Sequence, residues 1–481
     1  MHNTLSPQSM ENITRAQTKD GAAGPYHLAL EGVLVMCIVW LFTAKKKPSK
    51  NMRLTPKEEE ELLREWEPEP LVPHPPRPDH PALHPRTVYG KPGKYVDIGT
   101  GTPLLNLATH SYLALGDRPE VVEGALTCLH QYGVGSCGPR GFYGTTQVHL
   151  ELEEQLAAFF GTEAAVLYAY GFSTSASAIP AYAKNGDIIF ADEMINFALQ
   201  RGLQASRSKI VYFRHNDLDH LKELLEEQEK ADKKDPRRAN ATRKFLVVEG
   251  IYFNTGQLCD LPGLVALRRR YKLRLFLDES VSFGTLGSRC RGVTDHYGVP
   301  LKEVDLLMGT LEGAGGCAGG FCVGTDFVVE HQRLSGLGYC FSASLPPMLA
   351  AASMKVVDVL EKEGGYLVET LQDRCRQTHK ALTAALPPSV ELVGDPISPI
   401  KHLRLAPPCP EDPDQGEETL RQVVEQAQEE GVALTVASYI RSQERHPPPP
   451  SIRLALNLQL TDQDISTLTG AICRAVEKVL G

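Results

Sequence analysis

The sequence predicts an α/β fold: a large domain on a mainly parallel sheet, a smaller C-terminal α/β domain, and one N-terminal transmembrane helix. Three observations carry this expectation. From residue 95 onward, short apolar runs alternate with longer amphipathic stretches, the pattern of buried parallel strands covered by helices. Residues 28–44 form an apolar run that carries Glu31 as its one charge. Over 481 residues, 42% are hydrophobic and 23% charged, which are ordinary globular values with ample material for a core.

The composition also excludes several classes. Lys plus Arg total 50 against 59 for Asp plus Glu, a net charge of -9, so the basic excess of a nucleic-acid binder is missing. The 11 cysteines are scattered, and Cys317 and Cys322 lack zinc-site spacing, so no metal site is expected. An odd, dispersed set of thiols fits a reducing compartment.

Taken in order, residues 26–44 read as a single-pass anchor. At ~1.5 Å of rise per residue the apolar run lies at the short end of what spans a bilayer. Tyr26 and Trp40 sit toward its ends, and Lys45, Lys46, Lys47, Lys50 and Arg53 follow it, whereas Arg15 and Lys19 precede it. Basic residues after the run argue against a signal peptide and put residues 1–25, with the sequon Asn12-Ile13-Thr14, on the lumenal side. Residues 45–94 hold an acidic helix over 58–69 and a proline-dense connector over 68–85. Residues 95–360 form the large domain, with strands expected over 164–169, 188–191, 210–213, 245–248 and 273–277 and helices over 217–230 and 262–270. Residues 230–244 read as a charged surface insertion and 405–417 as an exposed loop. The small domain, 361–481, closes with a helix over 420–430, a strand over 452–458 and a helix over 462–480.

The chemistry-bearing residues begin with a loop over 133–144 holding Gly133, Gly135, Gly138, Gly141 and Gly144. Glycines there permit close approach of a ligand or another chain to the backbone. His149-Leu-Glu-Leu-Glu follows, then Tyr170-Gly-Phe172, Asp278-Glu-Ser280, a glycine-rich turn over 309–320 and Phe341-Ser-Ala-Ser-Leu-Pro-Pro347. In this order the motifs resemble the α-oxoamine synthases, fold-type-I (aspartate aminotransferase-like) enzymes that use pyridoxal phosphate (PLP) to condense an amino acid with an acyl-CoA. The resemblance covers residues 103–480. It implies that His149 stacks on the cofactor ring, that Gly171 and Phe172 hold its phosphate, that Asp278 pairs with the pyridinium nitrogen, and that Arg453 receives the amino-acid carboxylate. It further implies that the segment 341–347 reaches a neighbouring subunit's phosphate.

Three departures redirect that reading. Gly313 stands where the family has its Schiff-base lysine, and no lysine occurs between Lys302 and Lys355. Val281 and Asn196 replace two family histidines. Without the lysine the chain is expected to be inert alone, since it has neither the amine nor the base. The resemblance then implies pairing with a homologous lysine-bearing catalytic subunit that binds PLP covalently, as a heterodimer or higher oligomer in the endoplasmic reticulum membrane. A small membrane accessory subunit and regulatory membrane proteins are further expected partners. Cys137, Arg140, Tyr143, Tyr339, Ser342 and Ser344 are the candidate interface residues, and His149, Gly171, Phe172, Asp278 and Arg453 a vestigial cofactor pocket. For Cys137 the simpler reading is a small buried thiol, while Arg453 reads equally as a vestigial carboxylate site or a structural ion pair. Two other readings stand: an independent PLP enzyme with its lysine elsewhere, and a regulatory scaffold on an enzyme-like fold that lends no active-site residue.

Overall fold

The computed structural model describes residues 25–43, 54–68, 71, 83–136, 138–408, 410 and 412–481. They fall in two compact units, residues 1–85 and 86–481.

In the first unit, helix α1 spans Pro25–Thr43. Its described side chains, at Leu30 and residues 32–40, are exposed. Among the described residues no helix is long and apolar enough to cross a membrane, so the expected transmembrane span is not supported. Helix α2, Pro56–Glu65, starts where Thr55 and Glu58 form a capping box with proline in the first turn. It ends four residues short of the expected limit and buries no side chain. The N-terminal tail with its sequon, and most of the proline-dense connector, lie outside the described residues.

The second unit opens with β1 (Tyr95–Val96), β2 (Leu104–Asn106), α3 (Pro119–Tyr132) and α4 (Gln147–Phe160). Its centre is a seven-stranded sheet ordered β3-β9-β8-β7-β6-β4-β5. The strands are β3 (Ala164–Tyr168), β4 (Ile188–Asp192), β5 (Lys209–Phe213), β6 (Lys244–Glu249), β7 (Arg274–Asp278), β8 (Leu306–Thr310) and β9 (Gly320–Gly324). All run parallel except β9, which pairs antiparallel with both β3 and β8. The strands read as continuous apolar runs because both faces are covered: residues 245–248 are all buried, as are 275–277. Neither the parallel β8 nor the antiparallel β9 was expected from the sequence, because glycines mask their apolar pattern.

The covering helices are α5 (Gly171–Tyr182), α6 (Phe197–Ser206), α7 (Leu218–Lys234), α8 (Pro236–Ala241), α9 (Leu261–Tyr271), α10 (Val293–His296), α11 (Asp326–Ser335) and α12 (Leu337–Cys340). The charged stretch 230–244 is therefore largely helical: it continues α7 and adds α8, which Asp235 caps. Helix α13, Pro347–Ala385, runs for 39 residues across the expected large-to-small boundary at 360. Beyond it come β10 (Val390–Val393), β11 (Ile400–Leu405), α14 (Pro413–Glu429), β12 (Val432–Ala433), β13 (Thr435–Val436), β14 (Ser451–Ala455) and α15 (Asp462–Leu480). Strands β10-β11-β14-β13 make a four-stranded antiparallel sheet, and β12 joins β1 and β2. The loop expected over 405–417 is shorter, since Asp412 caps α14 from Pro413.

The glycine-rich loop is tight where its own chain demands it. A Cβ on Gly144 would lie 1.9 Å from the Gly138 carbonyl oxygen, whereas one on Gly135 would meet nothing within 4 Å. Gly144→Ala should lower the unfolding free energy by about 1–3 kcal/mol through overpacking, and Gly135→Ala should stay within about 0.5 kcal/mol of the parent, both read from urea denaturation.

Candidate active-site cleft and subunit face

Ligand clefts in parallel sheets open at the carboxyl ends of the strands. Here the ends of β6, β7 and β8 and the starts of α5 and α6 line a cavity of about 420 Å³. The register pairs Glu249 with Asp278, so two carboxylates end adjacent strands side by side. Asp278 is 2% exposed. It accepts from the Ser280 backbone N–H at 2.8 Å, Ser175 Oγ at 3.2 Å and Asn196 Nδ2 at 3.3 Å, and from the Ser280 hydroxyl. Burial raises its pKa against those donors. Glu249 accepts from the backbone N–H groups of Asn196 at 2.6 Å and Phe253 at 3.1 Å. Burial and the Asp278 charge push Glu249 up to about 8.

Of the features PLP needs, the cleft keeps the carboxylate and lacks the amine. No lysine lines it. Gly313 does line it, but a Cβ there would lie 2.6 Å from the Tyr112 ring, which fills that space while the Tyr112 N–H donates to the Gly313 carbonyl at 2.9 Å. The expected phosphate cradle is also engaged: the Gly171 N–H at the start of α5 donates to Glu312 Oε1 at 3.2 Å. A carboxylate thus stands where an anion would sit on the helix N-terminus. Phe172 lines the rim, and the apolar Val281 lines the wall. The residues present therefore do not fit a lysine-bound, phosphate-anchored cofactor.

His149 does not stack in this cleft. It is buried on α4, with Nδ1 against Thr146 and Nε2 at 2.6 Å from the Leu345 carbonyl, and it is not among the lining residues. The position facing Asp278 from the start of α6 is Asn196. Arg453 does line the cleft. Among the described residues it has no ion pair; its guanidinium lies 4.4 Å over the Phe253 ring, and Nε is buried without a hydrogen-bond partner. The structural ion-pair reading of Arg453 therefore fails. His110 Nε2 and the Tyr439 hydroxyl, which also line the cleft, are likewise buried without a partner. Sequence reading missed Tyr112, Glu249, Glu312, His110 and Tyr439. An acid directly after an apolar strand run was a usable signal for Glu249; the others carried none.

The candidate subunit-face residues divide sharply. Arg140 is buried and turned inward: it forms a bidentate pair with Glu153 at 2.8 and 3.1 Å and donates from Nε to Thr145 Oγ1 at 3.0 Å. Arg333 adds a second cation to Glu153 at 3.1 Å. Tyr339 is buried beneath Arg140, whose guanidinium lies 5.3 Å from its ring. Ser344 binds the glycine-rich loop, its N–H donating to the Gly138 carbonyl at 3.0 Å and its hydroxyl to the carbonyls of Gly138 and Gly144. Ser342 is half-buried, its hydroxyl on the Ala343 carbonyl at 3.3 Å. Tyr143 is the opposite case, 103% exposed in the left-handed region at φ 64°. Phe142 and Phe341 are exposed beside it in sequence or on the neighbouring segment. Cys137 lies outside the described residues.

Residues 102–472 match the class I and II aminotransferase model, and the chain belongs to that family. Within it, curated relatives 36–41% identical to this chain are named serine palmitoyltransferase 1 or long chain base biosynthesis protein 1. Serine palmitoyltransferase 1 of Dictyostelium discoideum is 39% identical over 466 residues, 94% of each chain. Long chain base biosynthesis protein 1b of Oryza sativa is 38% identical over 454 residues, 94% of this chain and 92% of that protein. Among solved structures, SPT with PLP internal aldimine has a TM-score of 0.70 at 25% identity, covering 82% of this chain and 93% of that one.

Two outcomes follow from the geometry. Arg140→Met leaves a buried Glu153 with one cation and should cost about 3–5 kcal/mol of stability, measured by urea denaturation. Between about pH 5 and pH 8, the folded chain keeps a proton on Glu249 that the unfolded chain releases, so stability falls as pH rises through that window. Glu249→Gln should flatten this slope in thermal-melt series from pH 5 to 9.

Proposed function

We propose that this chain is the non-catalytic, required subunit of serine palmitoyltransferase. The complex condenses L-serine with palmitoyl-CoA to 3-ketosphinganine, releasing CoA and CO2, the first step of sphingolipid synthesis. The observation that carries the reading is the cleft without a lysine, its place taken by Gly313 and the Tyr112 ring. PLP supplies the electron sink of the reaction when bound by a homologous catalytic subunit, and this chain holds none covalently.

What this chain contributes is a surface. The loop stapled by Ser344 holds Tyr143 and Phe142 outward on a backbone with little freedom, suited to entering a partner's site and excluding water there. Ser342 is the outward hydroxyl on the adjoining segment. Arg140 and Tyr339 support that loop from below. Helix α1, which is not long and apolar enough to cross a membrane, is proposed to hold the chain at the endoplasmic reticulum membrane, with the second unit cytosolic. It is the natural docking face for a small accessory subunit and regulatory membrane proteins.

The inward turn of Arg140, Tyr339 and Ser344 favours a second reading, a scaffold that lends no active-site residue. Tyr143→Ala in the co-expressed complex separates the two. The first reading expects turnover to fall about tenfold or more with assembly intact on size exclusion, as for a misplaced positioning group; unchanged turnover leaves the scaffold. Borohydride reduction and peptide mapping should place any pyridoxyl-lysine on the partner alone, and one on this chain overturns both.

A further inference from the structure

Away from the cleft, positive charge is concentrated in one stretch. Residues 230–244 hold seven cations, among them Lys230, Lys234, Arg237 and Arg238, against the two carboxylates Asp232 and Asp235, in a chain whose net charge is -9. This stretch is the end of α7 together with α8, and it serves no core. Helix α7 buries Leu221 and Leu225, both in its first half, and α8 buries nothing. Asp235 and Pro236 nevertheless fix α8 with a side-chain cap and a proline in the first turn. Lys233 and Lys234 suit the last turn of α7, where a cation complements the helix dipole, but Arg237 stands in the first turn of α8, where it does not.

The same elements enclose a cavity of about 320 Å³ at the amino ends of β4 and β5, the opposite end of the sheet from the cleft. Its carboxylates are already engaged. Asp187 accepts from Arg243 Nε at 3.2 Å and Nη2 at 2.6 Å. Asp232 pairs with Lys244 and accepts from Gln228 Nε2 at 2.8 Å, and Asp235 caps α8 through the Arg238 N–H at 3.1 Å. Two cations are not engaged. Lys209, which starts β5, and Arg238 both line the cavity, and among the described residues neither side chain has a hydrogen bond or an ion pair. A polar cavity with its acids neutralised and two free cations suits an anion of several oxygens. Lys230, Lys234 and Arg237, all exposed, carry the positive potential beyond it. A small free anion fills the cavity alone, whereas a membrane of anionic lipid meets the cavity and the surrounding cations together. Nucleic acid fits less well, since no aromatic side chain lines the cavity for a base to stack on.

We propose that this face binds anionic membrane, with the phosphate monoester of a lipid headgroup between Lys209 and Arg238 and the neighbouring cations over the lipid surface. The inference concerns a different face from the cleft and does not rest on the subunit role.

Co-flotation of the full-length chain with vesicles tests it. Phosphatidylcholine vesicles doped with a phosphatidylinositol monophosphate should hold at least about tenfold more chain than phosphatidylcholine alone, or than phosphatidylserine vesicles of matched charge. Raising NaCl from about 0.1 to about 0.5 M should remove the difference. The double variant Lys209→Gln and Arg238→Gln should lose about tenfold of that partitioning, whereas Lys302→Gln with Lys478→Gln, an equal charge change at exposed sites elsewhere, should keep it. Helix α1 is the same in every protein compared, so its own affinity cancels. Acetylation by a water-soluble ester, mapped by mass spectrometry, needs no variant. Vesicles carrying the phosphate monoester should protect Lys209, Lys230 and Lys234 and leave Lys302 and Lys478 labelled. Absence of that protection, equal partitioning into phosphatidylcholine, or equal loss in the two double variants overturns the proposal. So does tighter binding of a single-stranded RNA, or binding of soluble inositol bisphosphate as tight as that of the vesicle, since either assigns the patch to another occupant.

Discussion

Two carboxylates without a neighbouring cation end adjacent parallel strands, and the cleft is organised around offsetting them. Strand register alone puts Glu249 beside Asp278. Neither is neutralised by an arginine or lysine, so backbone N–H groups, serine hydroxyls and the Asn196 amide supply the stabilisation that water would give. Part of the remaining penalty is met by keeping a proton on Glu249. The loops after β6, β7 and β8 and the starts of α5 and α6 must therefore take the conformations that deliver those donors. The fold's first task at this edge is solvating charge, whether or not a ligand is present.

The same logic applies to the packing beside Gly313. An amine removed from a packed cleft leaves a void or invites a replacement, and voids in cores are destabilising. Tyr112 takes the space beside Gly313, and Glu312 takes the amide at the start of α5. Both are local substitutes for groups that a cofactor-binding relative would fill with ligand. Asp278 sits within a hydrogen-bond set that the chain itself supplies.

Much of this was legible in the sequence, and the gaps have physical causes. Strands β3, β4, β6 and β7 were readable because burial on both faces leaves nearly pure apolar runs, and α15 was readable from its Thr461 cap and amphipathic period. Strand β9 was hidden because Gly320 and Gly324 bound it, and β10 because it is a four-residue edge strand of mixed exposure. Motif order identified Asp278, Gly171 and Arg453 as cleft residues. It misplaced His149, whose ring serves a capping contact and the Leu345 carbonyl. Orientation was the weak point. Arg140 and Tyr143 are three residues apart in one loop, yet one is buried in an ion pair and the other is in solvent, and no periodicity governs such a loop.

Tyr143 carries one more implication. A tyrosine at positive φ with its whole side chain in solvent strains the backbone by about 1–2 kcal/mol, and makes no contact in this chain that would offset it. Stability of the isolated polypeptide and fitness of the assembled one therefore pull this position in opposite directions. Selection for thermal robustness in the lone chain would drift toward glycine or asparagine there. Under the proposed pairing, a partner's surface is what offsets that strain at Tyr143.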